Sequence, residues 1–554
     1  MNYFLYGFGF LMLVVAAIRM MAYRRVRALS LRAATYAVAT ADDVPLGLRV
    51  ELEQAVTDLL PLGFQARGFA RITTVDADDE RPQWHALAEH SQYGSWALIT
   101  ASPIPEADMP LLTTFYSLLA DGRHLMSAEC ISHLMISSYP DTIIVDHGEI
   151  NVSASWNNYR NELLKHGPST PLADASALMT RLQALTDAYL PMLRQKNMLA
   201  TAKKTGREQL SALAAWQFVG RIQRGQAALV RTRSHRRRQS VGKRNILVPT
   251  AIEADAVIRF EQATDRRSHG GSSPIIFLVS LIAFVVAALL SDGYGSSLAL
   301  IVAILLFHEF GHFMAMRICG YRDTSIFFLP LIGAAASGRK ADATIPEQVF
   351  VSLMGPLPGI ILGLIFLACA PSQPPPQSQH LLFQSGLLLV VINLFNLLPI
   401  MPFDGGQIVN RLLFGRRPWL DFIFRSVAVV VVLGLGLSMG PILIYVSVFL
   451  ALGLITQRQI ARLRSRIMRS PEIMTLTGEK LTEAVSTLVV QDPSYKSKPF
   501  ALRVIMVREI CTAINRPAIS LGMSIALLAA YIGSCALAPV AVLIYVMFTR
   551  FFIQ

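Results

Sequence analysis

The fold is decided by residues 296–318, which read SSLALIVAILLFHEFGHFMAMRI. The stretch is apolar over the length that a membrane-spanning helix needs, about 20 residues. It nevertheless contains His308, Glu309 and His312. In a helix, positions i and i+4 share a face, so the two histidines can direct ring nitrogens at one metal ion while Glu309 projects beside it. Because ionisable groups inside a spanning helix are costly and usually functional, we interpret this pattern as a zinc site with Glu309 as general base.

The composition of the whole chain supports a membrane protein. Of 554 residues, 53% are hydrophobic and 16% are charged, against roughly a quarter charged in soluble domains. The mean hydropathy is +0.45 and the formal net charge is +13. We therefore expect a polytopic α-helical membrane protein with about seven to nine transmembrane helices and a soluble α+β domain inserted after the first. The five scattered cysteines predict neither a disulfide framework nor a thiolate metal site.

Hydropathy also divides the chain into segments. Strand-like runs at 96–100, 111–119 and 142–145 indicate a sheet in the soluble part. The predicted membrane spans are 274–291, 296–318, 349–370, 381–402, 423–437 with 441–456, and 518–534 with 536–549. Each of the last two pairs is either one kinked helix or two short ones. The predicted domains are an N-terminal transmembrane anchor (1–22), the soluble α+β domain (40–200), a helical and basic linker (201–270), an intramembrane core (274–456), a cytoplasmic basic segment (457–517) and a C-terminal transmembrane hairpin (518–554).

The distribution of Lys and Arg predicts the topology. Basic clusters occur at 19–32, 231–244, 411–417 and 458–469, and placing all of them inside satisfies the positive-inside rule. This arrangement makes residues 40–270 cytoplasmic. We expect the membrane to be a bacterial inner or plasma membrane. We expect the basic stretches to lie against anionic lipid, and we expect no nucleic-acid partner.

The same topology brings a carboxylate to the depth of His308. Asp404 follows the apolar segment 381–402, which runs inward. Two histidines do not complete a catalytic zinc site, which usually has three protein ligands and one open position. Asp404 is therefore the candidate third ligand.

These motifs resemble the site-2 protease group of intramembrane zinc metalloproteases. His308 to His312 match its HExxH helix, and Asn396 to Gly406 match its NxxPxxxxDG motif, with Phe403 where Leu is usual. Phe327 to Gly333 resemble its β-structured substrate clamp, and Met354-Gly355-Pro356 resemble its AGP motif. The resemblance covers roughly residues 296–415.

The resemblance implies an activity and a set of roles. The chain would be a zinc metalloendopeptidase that hydrolyses peptide bonds of membrane-spanning or membrane-associated proteins. Zn²⁺ would be held by His308, His312 and Asp404, with Glu309 as base and acid, close to the cytoplasmic face of the membrane.

One position departs from the family pattern. The family often has Asn three residues after the Pro of its AGP motif, where this chain has Gly359. Asn393 and Asn396 are candidate substrate-binding residues in its place, although hydrogen bonding between helices explains them equally well. Gly333, in the segment 324–338, is a third candidate, because this segment could pair with an extended substrate as an added strand. The alternative is a tight re-entrant loop without a substrate role.

Two other classes of function compete with proteolysis. One is a membrane scaffold or regulator without proteolytic activity, in which the zinc is structural. The other is a cation transporter that uses Glu309 and Asp404, although no inverted repeat is visible. Neither the substrate nor the oligomeric state follows from the sequence.

Overall fold

The computed structural model divides the chain into two units. The helical unit comprises Met1–Ile18, Ser268–Thr475 and Glu509–Gln554, and the sheet unit comprises Arg19–Arg267 and Leu476–Arg508. The structure describes residues 15, 19–20, 22–76, 81–106, 109–128, 132–146, 151–201, 207–239, 248–266, 281, 298–329, 333–340, 343–370, 377–439, 441–492, 495, 498–515 and 519–552.

The strands and helices are numbered in chain order. The strands are β1 (Tyr36–Ala39), β2 (Gln65–Ile72), β3 (Gln83–His90), β4 (Ser95–Glu106), β5 (Met109–Leu118), β6 (His124–Ser127), β7 (Thr142–Val145), β8 (Leu199–Thr201), β9 (Glu208–Leu210), β10 (Arg322–Leu329) and β11 (Gly333–Arg339). The helices are α1 (Leu46–Thr57), α2 (Val152–His166), α3 (Ala175–Gln195), α4 (Ala212–Gln239), α5 (Thr250–Arg266), α6 (Leu298–Ile318), α7 (Ile345–Met354), α8 (Pro356–Cys369), α9 (Gln377–Asn396), α10 (Asp404–Val409), α11 (Pro418–Met439), α12 (Pro441–Ile467), α13 (Pro471–Met474), α14 (Gly478–Val490), α15 (Phe500–Ile514) and α16 (Leu521–Phe552).

The sheet unit is built on a sheet in which β1 to β7 lie in sequence order. All neighbouring strands are antiparallel except β6 and β7, which are parallel. Successive side chains of a strand point to opposite faces. Ala97 and Ile99 accordingly join a core with α1 and α2, whereas Trp96 and Leu98 join a core with α3. The predicted strands at 96–100, 111–119 and 142–145 are confirmed, and the chain has a separate sheet-rich N-terminal domain.

Residues from the C-terminal half of the chain complete the sheet unit. Glu253 on α5 is fully buried, and its carboxylate accepts hydrogen bonds from the Arg503 guanidinium at 2.9 Å. The hydroxyl of Tyr495 donates to the same carboxylate at 3.3 Å. The sequence treats 457–517 as one segment, whereas in the structure residues 476–508 belong to the sheet unit because of such contacts with α5.

The helical unit has the character of a membrane domain. Among the described residues, five helices are long and apolar enough to cross a membrane: Ala299–Ile318, Ile345–Cys369, Pro418–Ser438, Leu443–Ile467 and Leu521–Ala541. The prediction of seven to nine spans stays a prediction, because span 274–291 and most of the anchor 1–22 lie outside the described residues.

The structure decides the details of three predicted spans. Residues 423–456 form two helices, α11 and α12. Residues 518–549 were expected as a hairpin or a kinked helix; the structure has one continuous helix, α16, in which Pro539 is tolerated as it often is in spanning helices. The predicted span 381–402 is shorter, because α9 ends at Asn396 ahead of two prolines that cannot continue a helix.

Helices α7, α8, α9, α10 and α16 share one apolar core. Within it, the hydroxyl of Tyr531 on α16 donates to the backbone carbonyl of Leu397 at 2.7 Å. Leu397 follows the end of α9 and begins the turn that leads to Asp404. The core therefore fixes the turn on which the carboxylate depends.

Candidate metal centre

Helix α6 places the two histidines on one face. The Nε2 atoms of His308 and His312 lie 3.1 Å apart, as the i and i+4 spacing requires when both rings converge. His308 is 3% exposed and His312 is 9% exposed. The two nitrogens are therefore available to a single ligand within the protein interior.

Asp404 reaches this pair as the first residue of α10. Its Oδ2 lies 3.2 Å from the Nε2 of His308 and 3.2 Å from the Nε2 of His312. The carboxylate is 9% exposed. The structure thus brings together the three residues that the sequence proposed as ligands, across 92 positions of chain.

The opposite ring nitrogens of both histidines also have partners. The Nδ1 of His308 lies 2.7 Å from the Oδ1 of Asn393, and the Nδ1 of His312 lies 2.7 Å from the backbone carbonyl of Val351. A carbonyl oxygen only accepts, so each Nδ1 must carry the proton. In the neutral rings each Nε2 then carries the free lone pair, and it faces the other Nε2 and Asp404.

This donor set fits a zinc ion. Two imidazole lone pairs and a carboxylate oxygen, all within 3.2 Å of one another, repel unless a cation lies among them. Zinc binds His nitrogen and Asp oxygen at about 2.0–2.2 Å in a tetrahedron, whose ligand atoms stand about 3.3–3.6 Å apart. The observed separations are close to that value.

Glu309 lies beside the three acceptors. Its carboxylate is within 4.8 Å of a ring nitrogen of each histidine, and the residue is 6% exposed. The backbone N–H of Ala336 on β11 lies near this carboxylate. Strand β11 therefore runs close to the acidic residue of the helix.

Gly355 closes the site from the side of α7. A Cβ built on Gly355 would lie 2.2 Å from the Nε2 of His312, a distance that no side chain can adopt. The Met354-Gly355-Pro356 motif is therefore explained by the space that the His312 ring occupies.

Strands β10 and β11 form an antiparallel hairpin beside α6. The hairpin is fixed at its base, where the Lys340 ammonium donates to Glu347 at 2.6 Å and to the carbonyl of Cys319 at 2.9 Å. Gly333 is the first residue of β11 and pairs with Leu329. The predicted β structure is confirmed for residues 324–329 and 333–338, whereas its contact with substrate stays a prediction.

The two candidate asparagines are placed differently. Asn393 is fully buried, and its amide also donates to the carbonyl of Leu389 at 2.7 Å. The amide of Asn396 donates to its own helix, at Ile392, over 3.2 Å. Among the described contacts, Asn393 alone of the two asparagines meets a histidine, and Gly359 lies against Asn393.

Sequence reasoning missed the Val351 carbonyl. Any residue provides a backbone oxygen, so the side chain at 351 carries no signal of this contact. Asn393 was identified from its helical position, but the sequence did not indicate that it meets His308.

The site combines a helix that carries the HExxH pattern with a carboxylate as the candidate third zinc ligand, all among apolar helices. This combination defines the class of membrane zinc metalloproteases. Residues 296–377 match the model of Peptidase family M50. The zinc metalloprotease MJ0392 of Methanocaldococcus jannaschii is 28% identical over 249 residues, which cover 42% of this chain and 72% of that protein. The stage IV sporulation protein FB of Bacillus subtilis is 30% identical over 137 residues, which cover 24% of this chain and 47% of that protein.

Over residues 296–377 the chain matches peptidase family M50, the site-2 protease family, and it is similar to a relative named as a zinc metalloprotease. It is an integral membrane zinc metalloendopeptidase. The predicted family, enzyme class and cofactor are thereby confirmed.

Proposed function

We propose that the protein is an intramembrane endopeptidase that hydrolyses peptide bonds of membrane-spanning or membrane-associated proteins. His308, His312 and Asp404 hold the zinc ion, and Glu309 is the general base and acid. The observation that carries this proposal is the convergence of three buried acceptors within 3.2 Å on apolar helices. A membrane substrate is favoured because this site lies on α6, itself a helix long and apolar enough to span a bilayer.

The residues divide the chemistry among them. Zinc supplies Lewis acidity, which lowers the pKa of a water molecule and polarises the scissile carbonyl. The carboxylate of Glu309 accepts a proton from the attacking water and returns it to the leaving amine nitrogen. Asn393 and the Val351 carbonyl keep the protons of both histidines on Nδ1. Burial of all four acidic and imidazole groups excludes bulk water.

The hairpin is the proposed substrate clamp. A helical substrate hides its carbonyls in backbone hydrogen bonds and must unwind before it can be cut. The N–H of Ala336 on β11 lies near Glu309, so a substrate strand added along the hairpin would pass the acidic residue. This placement favours an extended substrate segment held beside the zinc site.

The location of the two units is also part of the proposal. The protein would lie in a bacterial inner or plasma membrane, and the basic clusters favour residues 40–270 on its cytoplasmic side. The basic stretch 231–244 would then contact anionic lipid.

The test is comparative proteomics of membrane fractions with the wild-type chain and with Glu309→Gln. We expect single-span or membrane-associated proteins to accumulate uncut with the variant, at a cleavage rate lowered about 10²–10⁴-fold, as for removal of a general acid–base. Zinc content should be unchanged. Glu472→Gln is the matched control, since Glu472 is exposed on α13. Equal cleavage by Glu309→Gln would contradict the proposal, and a fourth protein ligand on the zinc would support the scaffold alternative.

A further inference from the structure

Asn393 is held at both ends of its amide. The Nδ2 donates to the carbonyl of Leu389 at 2.7 Å, which directs the Oδ1 at His308. The side chain is 0% exposed, so it has no surface for a substrate. Because the Oδ1 accepts, it fixes both the tautomer and the plane of the His308 ring.

Gly359 is the steric counterpart of this amide. A Cβ at position 359 would lie 2.2 Å from the Nδ2 and 2.6 Å from the Cγ of Asn393. Even alanine at 359 is incompatible with the observed side-chain position. The glycine of α8 and the asparagine of α9 therefore form a matched pair, in which the absence of one side chain makes room for the other.

The two histidines are held by different kinds of acceptor. His312 uses the backbone carbonyl of Val351, which no substitution removes, whereas His308 uses a side chain. Partners that orient metal-bound histidines typically change metal affinity by about 10- to 100-fold when they are lost. The His308 side of the site is thus the one that substitution can loosen.

We propose that Asn393 is a positioning residue for His308, with Gly359 as the residue that admits it, and that neither binds substrate. This inference rests on the proposed function of His308 as a zinc ligand. It assigns to Asn393 a role in zinc affinity instead of a role in substrate recognition.

The experiment measures zinc affinity of the full-length protein in nanodiscs by chelator competition, together with the visible spectrum of the Co²⁺-substituted protein. Asn393→Ala should weaken zinc binding about 10- to 100-fold and change the Co²⁺ ligand-field bands. Asn393→Asp, which keeps an acceptor, should recover most of the affinity. Ser385→Ala is the control, because Ser385 lies on the same helix and bonds within it, to Leu381 at 2.6 Å.

Gly359→Ala provides an independent arm. It should displace Asn393 and weaken zinc to about the level of Asn393→Ala. In the Asn393→Ala background, the same substitution should add little, since the clash is gone; such non-additivity is the signature of a direct pair.

Unchanged zinc affinity and Co²⁺ spectrum in folded Asn393→Ala would overturn the inference, and so would additive effects of the two substitutions. A purely structural role would lower thermal stability while leaving both zinc readouts of the folded protein unchanged. Failure of the inference is distinguishable from failure of the proposed function, because Glu309→Gln would still abolish cleavage in the first case.

Discussion

The two units of the chain bury polar groups in opposite ways. In the sheet unit, the carboxylate of Glu253 meets the guanidinium of Arg503 at 2.9 Å, so that an acceptor faces donors and the charges cancel. In the helical unit, His308, His312 and Asp404 present three acceptors to one point. A buried group without its complement is costly. The first arrangement therefore stabilises a fold by itself, whereas the second needs a metal ion or a proton among its acceptors.

The largest effect is expected where the acceptor set is broken. Asp404→Asn removes the negative charge and replaces one carboxylate oxygen with a donor. We expect zinc affinity to fall by more than about 100-fold, beyond the loss typical of an orienting partner. Elemental analysis of the purified protein measures the loss, with Asp42→Asn in the sheet unit as the control, because Asp42 is 99% exposed at its side chain. Full zinc occupancy in Asp404→Asn would remove this residue from the ligand set.

The second prediction concerns the buried ion pair of Glu253 and Arg503. Glu253→Leu leaves Arg503 buried without its carboxylate, and we expect unfolding of the sheet unit to become easier by about 3–5 kcal/mol. The double variant with Arg503→Leu should recover much of that loss, because no charge stays uncompensated. Tryptophan fluorescence follows this unit, which holds four of the five tryptophans of the chain: Trp84, Trp96, Trp156 and Trp216.

The zinc content of the same variants shows whether the ion pair of the sheet unit is independent of the metal centre. It should be unchanged in folded Glu253→Leu. Two results would contradict the contrast between the units. One is a decrease of under 1 kcal/mol in the free energy of unfolding of Glu253→Leu, and the other is a loss of zinc from this variant.

A smaller effect is expected from His85 on β3. Burial, and secondly the charge of Arg259, lower the pKa of His85 to about 3. The unfolded chain takes up a proton near the ordinary value of 6.5, whereas the folded chain stays neutral, so stability falls as pH drops below 6.5 towards 3. The loss reaches about 2 kcal/mol at pH 5.

The measurement is thermal unfolding of the full chain at pH 8 and at pH 5. His85→Leu should lose about 2 kcal/mol less on acidification than the wild-type chain, whereas the control His166→Gln should behave as wild type. In the part of the chain that the structure describes, neither ring nitrogen of His85 has a hydrogen-bond partner, so an apolar replacement removes no bond. An equal acid sensitivity of His85→Leu would place the titrating group elsewhere.

The sequence predicted those site residues whose signal lies in the spacing within one helix or in the membrane topology. His308, Glu309 and His312 share one helical face, so their spacing alone indicated the site. Asp404 was reachable by a charge-based argument about depth, because membrane topology relates distant segments. These two kinds of signal were sufficient for the ligand set that the structure brings together.

Other features depend on contacts that the chain does not encode locally. The pairing of Asn393 with Gly359 arises where α8 and α9 cross, and either residue alone reads as an ordinary membrane-helix residue. The Val351 carbonyl is a backbone atom, and the attachment of residues 476–508 to the sheet unit depends on Glu253, more than 200 positions earlier. Such long-range packing is set by the assembled fold.

We propose that His308, His312 and Asp404 hold a zinc ion that keeps an open position. X-ray absorption at the zinc edge of the purified wild-type protein examines these ligands themselves. We expect two imidazole nitrogens and oxygen donors at about 2.0–2.2 Å, without sulfur, and the loss of one imidazole nitrogen in His308→Ala. Sulfur at about 2.3 Å, or a first shell unchanged by His308→Ala, would show that these residues are not the ligands.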